Sequence, residues 1–159
     1  GGQAEDWVGP GTGVAGAALE RKIETVRLGV ERHQAVLDDP LQVLAALGGE
    51  ELAAICGAIL AARMGRIPVL LDGYASTAAA AVMQALDPHA LDHCLVAHRS
   101  AEPAHAPLCA RLGPKPLLDL GMRPGDASGA ALPVSLLKAA CACLDGMATF
   151  NRAGVSGPV

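Results

Sequence analysis

Aromatic residues are nearly absent from this sequence. Trp7, Tyr74 and Phe150 make up 2% of its 159 residues. A protein that binds nucleic acid usually stacks bases on aromatic platforms and carries a cationic footprint. Here the net charge is −4 and no basic cluster stands out, so that class is set aside. Long apolar runs are also scarce. The best of them, Leu52 to Ala62, is bounded by Glu50, Glu51 and Arg63 and falls short of the roughly 20 residues a bilayer requires. No membrane is expected. No basic-then-apolar segment opens the chain, so no signal peptide is expected. Gly1-Gly2 without a methionine implies a natural start further upstream. No CxxC spacing occurs among Cys56, Cys94, Cys109, Cys141 and Cys143. Cys141 and Cys143 stand two apart on a helical pattern and face away from each other. No metal site is expected, and the thiols read as small core residues of a reduced, cytoplasmic protein.

Just over half of the residues are apolar, mostly Ala, Leu and Val. Such a composition packs helices closely in a single domain. Residues 1–16 read as a glycine-rich entry loop, 17–150 as an α/β portion and 151–159 as a loose tail. Leu19, Ile23, Val26, Val30 and Val36 recur at the helical period across residues 17–37. Asp38-Asp39-Pro40 caps a helix over Leu41 to Leu47, which Gly48-Gly49 ends, and Glu50 to Met64 form another. Gly57, inside that helix, costs about 1 kcal/mol against alanine and predicts a close packing contact.

From Ile67 onward the pattern changes to strand, polar loop and helix, three times over. The strands are Ile67 to Leu71, His93 to Ala97 and Leu117 to Leu120. Their helices start near Ser76, near Glu102 and at Ser128, the last running to Leu144. Met147 to Phe150 is expected to anchor the end. This is βα winding, which places parallel strands in one sheet. Asp72-Gly73, His98-Arg99-Ser100 and Gly121 to Ser128 then share one edge. In open α/β sheets that edge binds ligands, and helix N-termini there favour anions.

Each candidate residue has two readings at this level. Gly11-Thr12-Gly13-Val14-Ala15-Gly16 fits GxGxxG but follows no strand, so it is an entry loop or a phosphate cradle. Lys22 lies on a helix, where the default is solvent. Asp72 is a turn former, a cap or a ligand. Ser100, beside Arg99, is a phosphate ligand or an N-cap. His98 is an acid/base group or a satisfied strand-end histidine. Asp119, inside a strand, is paired or at a sheet edge. Asp126 is a capping acid or a catalytic one. No Ser-His-Asp order, HExxH or Walker loop is present.

Taken together, the loops carry a family resemblance. Val8 to Gly13, Leu19 to Lys22, Gly48 to Ala54, Ile67 to Gly73, Ala97 to Pro103, Leu117 to Gly121, Gly125 to Ala130, Met147 to Phe150 and the tail from Ala153 to Ser156 stand in this order. They resemble the C-terminal half of the nicotinate-nucleotide–dimethylbenzimidazole phosphoribosyltransferase family. The resemblance implies a Rossmann-like parallel sheet flanked by helices, incomplete in this chain. It implies transfer of phosphoribosyl from nicotinate mononucleotide to 5,6-dimethylbenzimidazole, giving nicotinate and α-ribazole 5′-phosphate for cobalamin assembly, with inversion and without metal or cofactor. It implies Asp126 as general base, with Gly11, Gly13, Lys22, Asp72, Gly73, Ser100 and Gly125 around the substrate. A homodimer or a complementing N-terminal half is the implied protein partner. The family ordinarily has glutamate at Asp126 and glycine at Ala127. The alternative reading is a non-catalytic nucleotide-binding or assembly domain.

Overall fold

A computed structural model describes residues 2–123 and 125–155, so Gly1, residue 124 of the Gly121 to Ser128 loop and residues 156–159 of the tail lie outside the described residues. The chain is a helix-rich α/β structure. Its elements run α1 (Ala4–Trp7), α2 (Ala17–Arg32), a short 3₁₀ turn (Gln34–Val36), α3 (Pro40–Val43), a π-helical turn (Leu44–Gly48), α4 (Gly49–Met64), β1 (Val69–Leu71), α5 (Tyr74–Leu86), β2 (Cys94–Val96), α6 (His105–Leu112), α7 (Ser128–Gly146) and α8 (Phe150–Ala153).

Local chemistry sets these boundaries. Asp39 caps α3 by accepting the N–H groups of Leu41 at 2.9 Å and Gln42 at 3.2 Å, and Pro40 takes the first helical position, where no N–H is needed. On α2, Arg27 bonds Glu24 and Glu31 one turn to either side, an exposed pairing that solvent screens. Gly48-Gly49 does not separate two helices with a loop. The π turn carries straight into α4, and the break is confined to Gly49 at φ 71°.

β1 and β2 pair in parallel, with Val69 opposite Cys94, Leu70 opposite Leu95 and Leu71 opposite Val96. The core gathers on this pair: Ile59 from α4, Ala80 from α5, Leu108, Cys109 and Leu112 from α6, with Leu71, Leu91, Cys94 and Val96. The third expected strand is reduced. Among the described residues the sheet has two strands, and the segment from Leu117 meets it through one parallel bridge, His98 with Leu118. Leu117, Asp119 and Leu120 are exposed, because among the described residues nothing covers the outer side of that segment. Asp119 is both paired, with Arg99, and at the sheet edge.

Three further expectations change. A Cβ on Gly57 would meet nothing within 4 Å, so no close contact among the described residues explains that glycine. Met147 and Phe150 are 70% and 72% exposed and anchor nothing here. Cys56, Cys94 and Cys109 are buried, but Cys141 and Cys143 are exposed on α7. Continuous helix also revises the membrane argument. Pro40–Met64 and Ser128–Gly146 are long and apolar enough to cross a bilayer by length and composition. That alone is weak evidence: the first carries Glu50, Glu51 and the Gly49 break within it, and helices that pack on protein share this composition.

Candidate functional site

The C-terminal ends of β1 and β2 open onto a cavity of about 490 Å³. Four separate stretches line it: Trp7 to Thr12, Lys22 and Val26 of α2, Gly73 to Ala75, and Ser100 with Glu102, joined by Arg123 and Gly125 from the turn before α7. Five predicted residues therefore meet there: Gly11, Lys22, Gly73, Ser100 and Gly125. Gly13, Asp72 and Asp126 are not among its lining residues.

The glycine-rich loop is held from two sides by cations. Lys22 reaches back from α2 and its Nζ donates to the Gly9 carbonyl at 2.7 Å, so this helix lysine is not simply solvated. Arg123 donates to the Gly11 carbonyl at 3.2 Å, to Glu102 Oε1 at 2.7 Å and to the Ala101 carbonyl at 3.2 Å. A Cβ at Gly9 would overlap the Glu102 carboxylate, so a side chain there would displace that carboxylate from Arg123. Tyr74, at the start of α5, donates its hydroxyl to the Trp7 carbonyl at 2.9 Å. Burial, with the Glu102 charge, raises the Tyr74 pKa and keeps it a donor.

The strand-end loops are fixed from inside. Ser100 Oγ accepts the Glu102 N–H at 3.1 Å and so starts a turn, leaving its own proton to donate. The Ser100 N–H donates to His105 Nδ1 at 2.8 Å. Burial lowers the His105 pKa to about 4, so the ring is neutral at physiological pH. His98 is fully buried, and neither ring nitrogen has a hydrogen-bond partner among the described residues. Its Nε2 lies 3.6 Å from Asp72 Oδ1.

Asp72 works one layer behind the cavity. Its Oδ1 accepts the Ala130 N–H at 2.7 Å, a donor in the first turn of α7 that also reaches the Ala127 carbonyl at 3.1 Å. Asp126 is exposed, and its Oδ1 accepts the Ser128 N–H at 3.1 Å. Hydrogen bonding from Ser128 holds its carboxyl below the usual aspartate range. Ala127, the residue before α7, sits in the left-handed region at φ 67°. Arg123 and the two buried groups His105 and Thr77 escaped the sequence reading. Arg123 leaves no short-range pattern, and the other two matter only once the loops that they join are known to meet.

A family model described as Phosphoribosyltransferase matches residues 1–155. The chain is 59% identical over 157 residues to the nicotinate-nucleotide–dimethylbenzimidazole phosphoribosyltransferase of Brucella anthropi, covering 99% of this chain and 46% of that protein. It is 60% identical over 157 residues to the protein of the same name from Rhizobium etli, with the same coverage. A crystal structure of CobT from Thermus thermophilus superposes with a TM-score of 0.90 at 40% identity, covering 98% of this chain and 46% of that one. The chain thus spans about half the length of the proteins it matches.

Proposed function

The chain belongs to the phosphoribosyltransferase family, and from that premise we propose that it transfers phosphoribosyl from nicotinate mononucleotide to 5,6-dimethylbenzimidazole. The products would be nicotinate and α-ribazole 5′-phosphate, the lower-ligand nucleotide of cobalamin. The observation that carries this reading is the convergence of Gly11, Lys22, Gly73, Ser100 and Gly125, from five places in the sequence, on one cavity at the strand ends. Backbone N–H groups at the starts of α5 and α6, the Ser100 hydroxyl and the cations Lys22 and Arg123 suit an anionic ribose phosphate.

The chemistry is a displacement at the anomeric carbon. A benzimidazole nitrogen forms the new C–N bond as the bond to nicotinate breaks, and the departing ring leaves neutral at nitrogen. The proton on the other benzimidazole nitrogen must then go to a base. We assign that base to the Asp126 carboxylate, which is ionised at neutral pH. Such help is typically worth about 10²–10⁴-fold. The same negative charge stabilises the positive charge that builds on the sugar. Asp72 contributes by holding the first turn of α7, and with it the Asp126 turn. Gly13 would meet substrate only if the entry loop closes over it.

Protein partners follow from the half-length. Leu132, Leu136, Leu144, Met147 and Phe150 expose apolar surface along α7 and α8, and Leu60 and Met64 do so on α4. A patch of this kind calls for a protein surface, supplied by a complementing N-terminal half or a second copy. The proposed setting is the cytoplasm. A second reading, nucleotide binding or assembly without turnover, draws on the exposure of Asp126 outside the cavity.

The deciding experiment incubates the chain, alone and with a complementing N-terminal half, with both substrates and follows α-ribazole 5′-phosphate by chromatography. Product is expected with the half supplied. Its absence there would move the assignment to the second reading.

A further inference from the structure

Behind the cavity wall a chain of buried hydrogen bonds joins Ser100 to Gly73. The Ser100 N–H donates to His105 Nδ1 at 2.8 Å, His105 Nε2 lies 3.0 Å from Thr77 Oγ1, and the Thr77 hydroxyl donates to the Gly73 carbonyl at 2.8 Å. Thr77 and His105 are fully buried, and Ser100 is 7% exposed. The polarity of the chain is fixed by its ends. An amide N–H can only donate, so Nδ1 must be the unprotonated nitrogen. The ring proton is therefore on Nε2 and goes to Thr77 Oγ1, which sends its own proton to a carbonyl that can only accept. One tautomer alone satisfies every member.

The route crosses four elements. Gly73 ends the β1 loop, Thr77 is on α5, Ser100 follows β2 and His105 opens α6. Gly73 and Ser100 both line the cavity, whereas His105 and Thr77 do not. The Gly73 carbonyl also accepts the Ser76 hydroxyl at 3.0 Å and the Thr77 N–H at 3.1 Å, but both come from α5 itself. In this chain of bonds, Thr77 and His105 are what tie that carbonyl to the β2 loop.

We propose that His105 and Thr77 are positioning residues that set the spacing of Gly73 and Ser100, and with it the grip on the phosphoribosyl group of the donor. This rests on the substrate assignment above. Neither residue touches substrate, so the effect falls on binding of the ribose phosphate in ground and transition state alike. Such a loss raises KM and leaves kcat. Asp126 acts on the nucleophile, the benzimidazole, and its loss has the opposite signature.

The test uses the full chain with its complementing half. Thr77→Val keeps the side-chain shape and removes the hydroxyl, while Thr77→Ser keeps the hydroxyl. Thr77→Val is expected to raise KM for nicotinate mononucleotide about tenfold, with kcat within about threefold, and Thr77→Ser to restore it. Nitrogen-15 NMR of the wild-type His105 ring is expected to find the proton on Nε2. Unchanged KM in a folded Thr77→Val protein, or a ring protonated on Nδ1, would overturn the proposal. If Thr77→Val does not fold, the ring tautomer and the Thr77→Ser kinetics still decide it, because a Thr77→Ser KM far above wild type would also sink it. A wild-type protein that neither binds nicotinate mononucleotide nor makes product would instead defeat the substrate assignment, leaving the tautomer to judge the hydrogen-bond chain.

Discussion

The two lips of the cavity are built differently. One, from Gly73 through Ser100 to His105, is buried and wired through the interior by hydrogen bonds between 2.8 and 3.0 Å. The other, the described part of 121–128, is mostly exposed and bonded mainly at its edges. Arg123 ties its start to Gly11, Ala101 and Glu102, and Asp72 ties the turn of α7 beyond it through the Ala130 N–H. Asp126 hangs between these two attachments, and among the described residues its hydrogen bonding is to Ser128 nearby. The first lip can hold a phosphate in a geometry fixed by folding. The second can bring a carboxylate to a second substrate that must enter and leave. The contrast suits a reaction in which one reactant is gripped and the other exchanged.

Removing the acid is the strongest way to probe the exposed lip. Asp126→Ala is expected to lower kcat by about 10²–10⁴-fold and to leave KM for nicotinate mononucleotide little changed. Asp126→Glu extends the arm by one methylene, roughly 1.5 Å, on a scale where about 1 Å of misplacement costs 10²-fold. It is expected to keep or raise kcat. An Asp126→Ala protein turning over at the wild-type rate would remove Asp126 as the base and break the division of labour between the lips.

Much of the wired lip was legible in the sequence, because its frame is local. The apolar runs before Asp72 and His98 lie at β1 and β2, and the alanine-rich stretch after Gly73 is α5. The polar wiring was not legible. Thr77 looks like any residue early in an alanine-rich helix, and His105 like a helix histidine. Their meeting depends on two loops, some 28 residues apart, arriving side by side. The third strand failed for a related reason. Leu117-Leu118-Asp119-Leu120 has strand composition, but a strand needs a neighbour on its pairing edge, and this chain supplies one bridge. Gly57 likewise makes no contact that its cost in a helix would lead one to expect.

A smaller blow falls where the lips join. Gly129 is buried at the start of α7, and a Cβ there would overlap the His98 ring and press on Asp72 Oδ1. The His98 ring is itself enclosed, so it has little room to retreat. Gly129→Ala is expected to destabilise the protein by about 1–3 kcal/mol through overpacking, read as a lowered thermal midpoint. It should also loosen the bond between Asp72 and Ala130, so kcat falls more than KM rises. An unchanged midpoint would mean that α7 can lift off the strand ends freely, and the join between the lips would then carry no strain.

The finest test concerns Ala127. Its φ of 67° is a conformation that costs a non-glycine residue roughly 1–2 kcal/mol. Glycine would remove that cost in the folded state but would add freedom to the unfolded chain, worth about 0.4–1 kcal/mol in the opposite direction. The folded-state term is the larger, so Ala127→Gly is expected to stabilise by about 0–1.6 kcal/mol, measured by denaturant midpoint at constant slope. The kinetic consequence separates two pictures of the exposed lip. If the methyl serves only to strain the turn, the glycine variant gains stability and keeps its rate. If the methyl holds Asp126 in place despite the strain, stability rises while kcat falls, since a freer turn spends less time with its carboxylate at the benzimidazole. The second outcome is the one expected here, because among the described residues the acid is oriented by the backbone of its own turn and by hydrogen bonding to Ser128. The same substitution in the buried lip has no counterpart, since φ at Gly73 is −129° and its carbonyl is held by three donors.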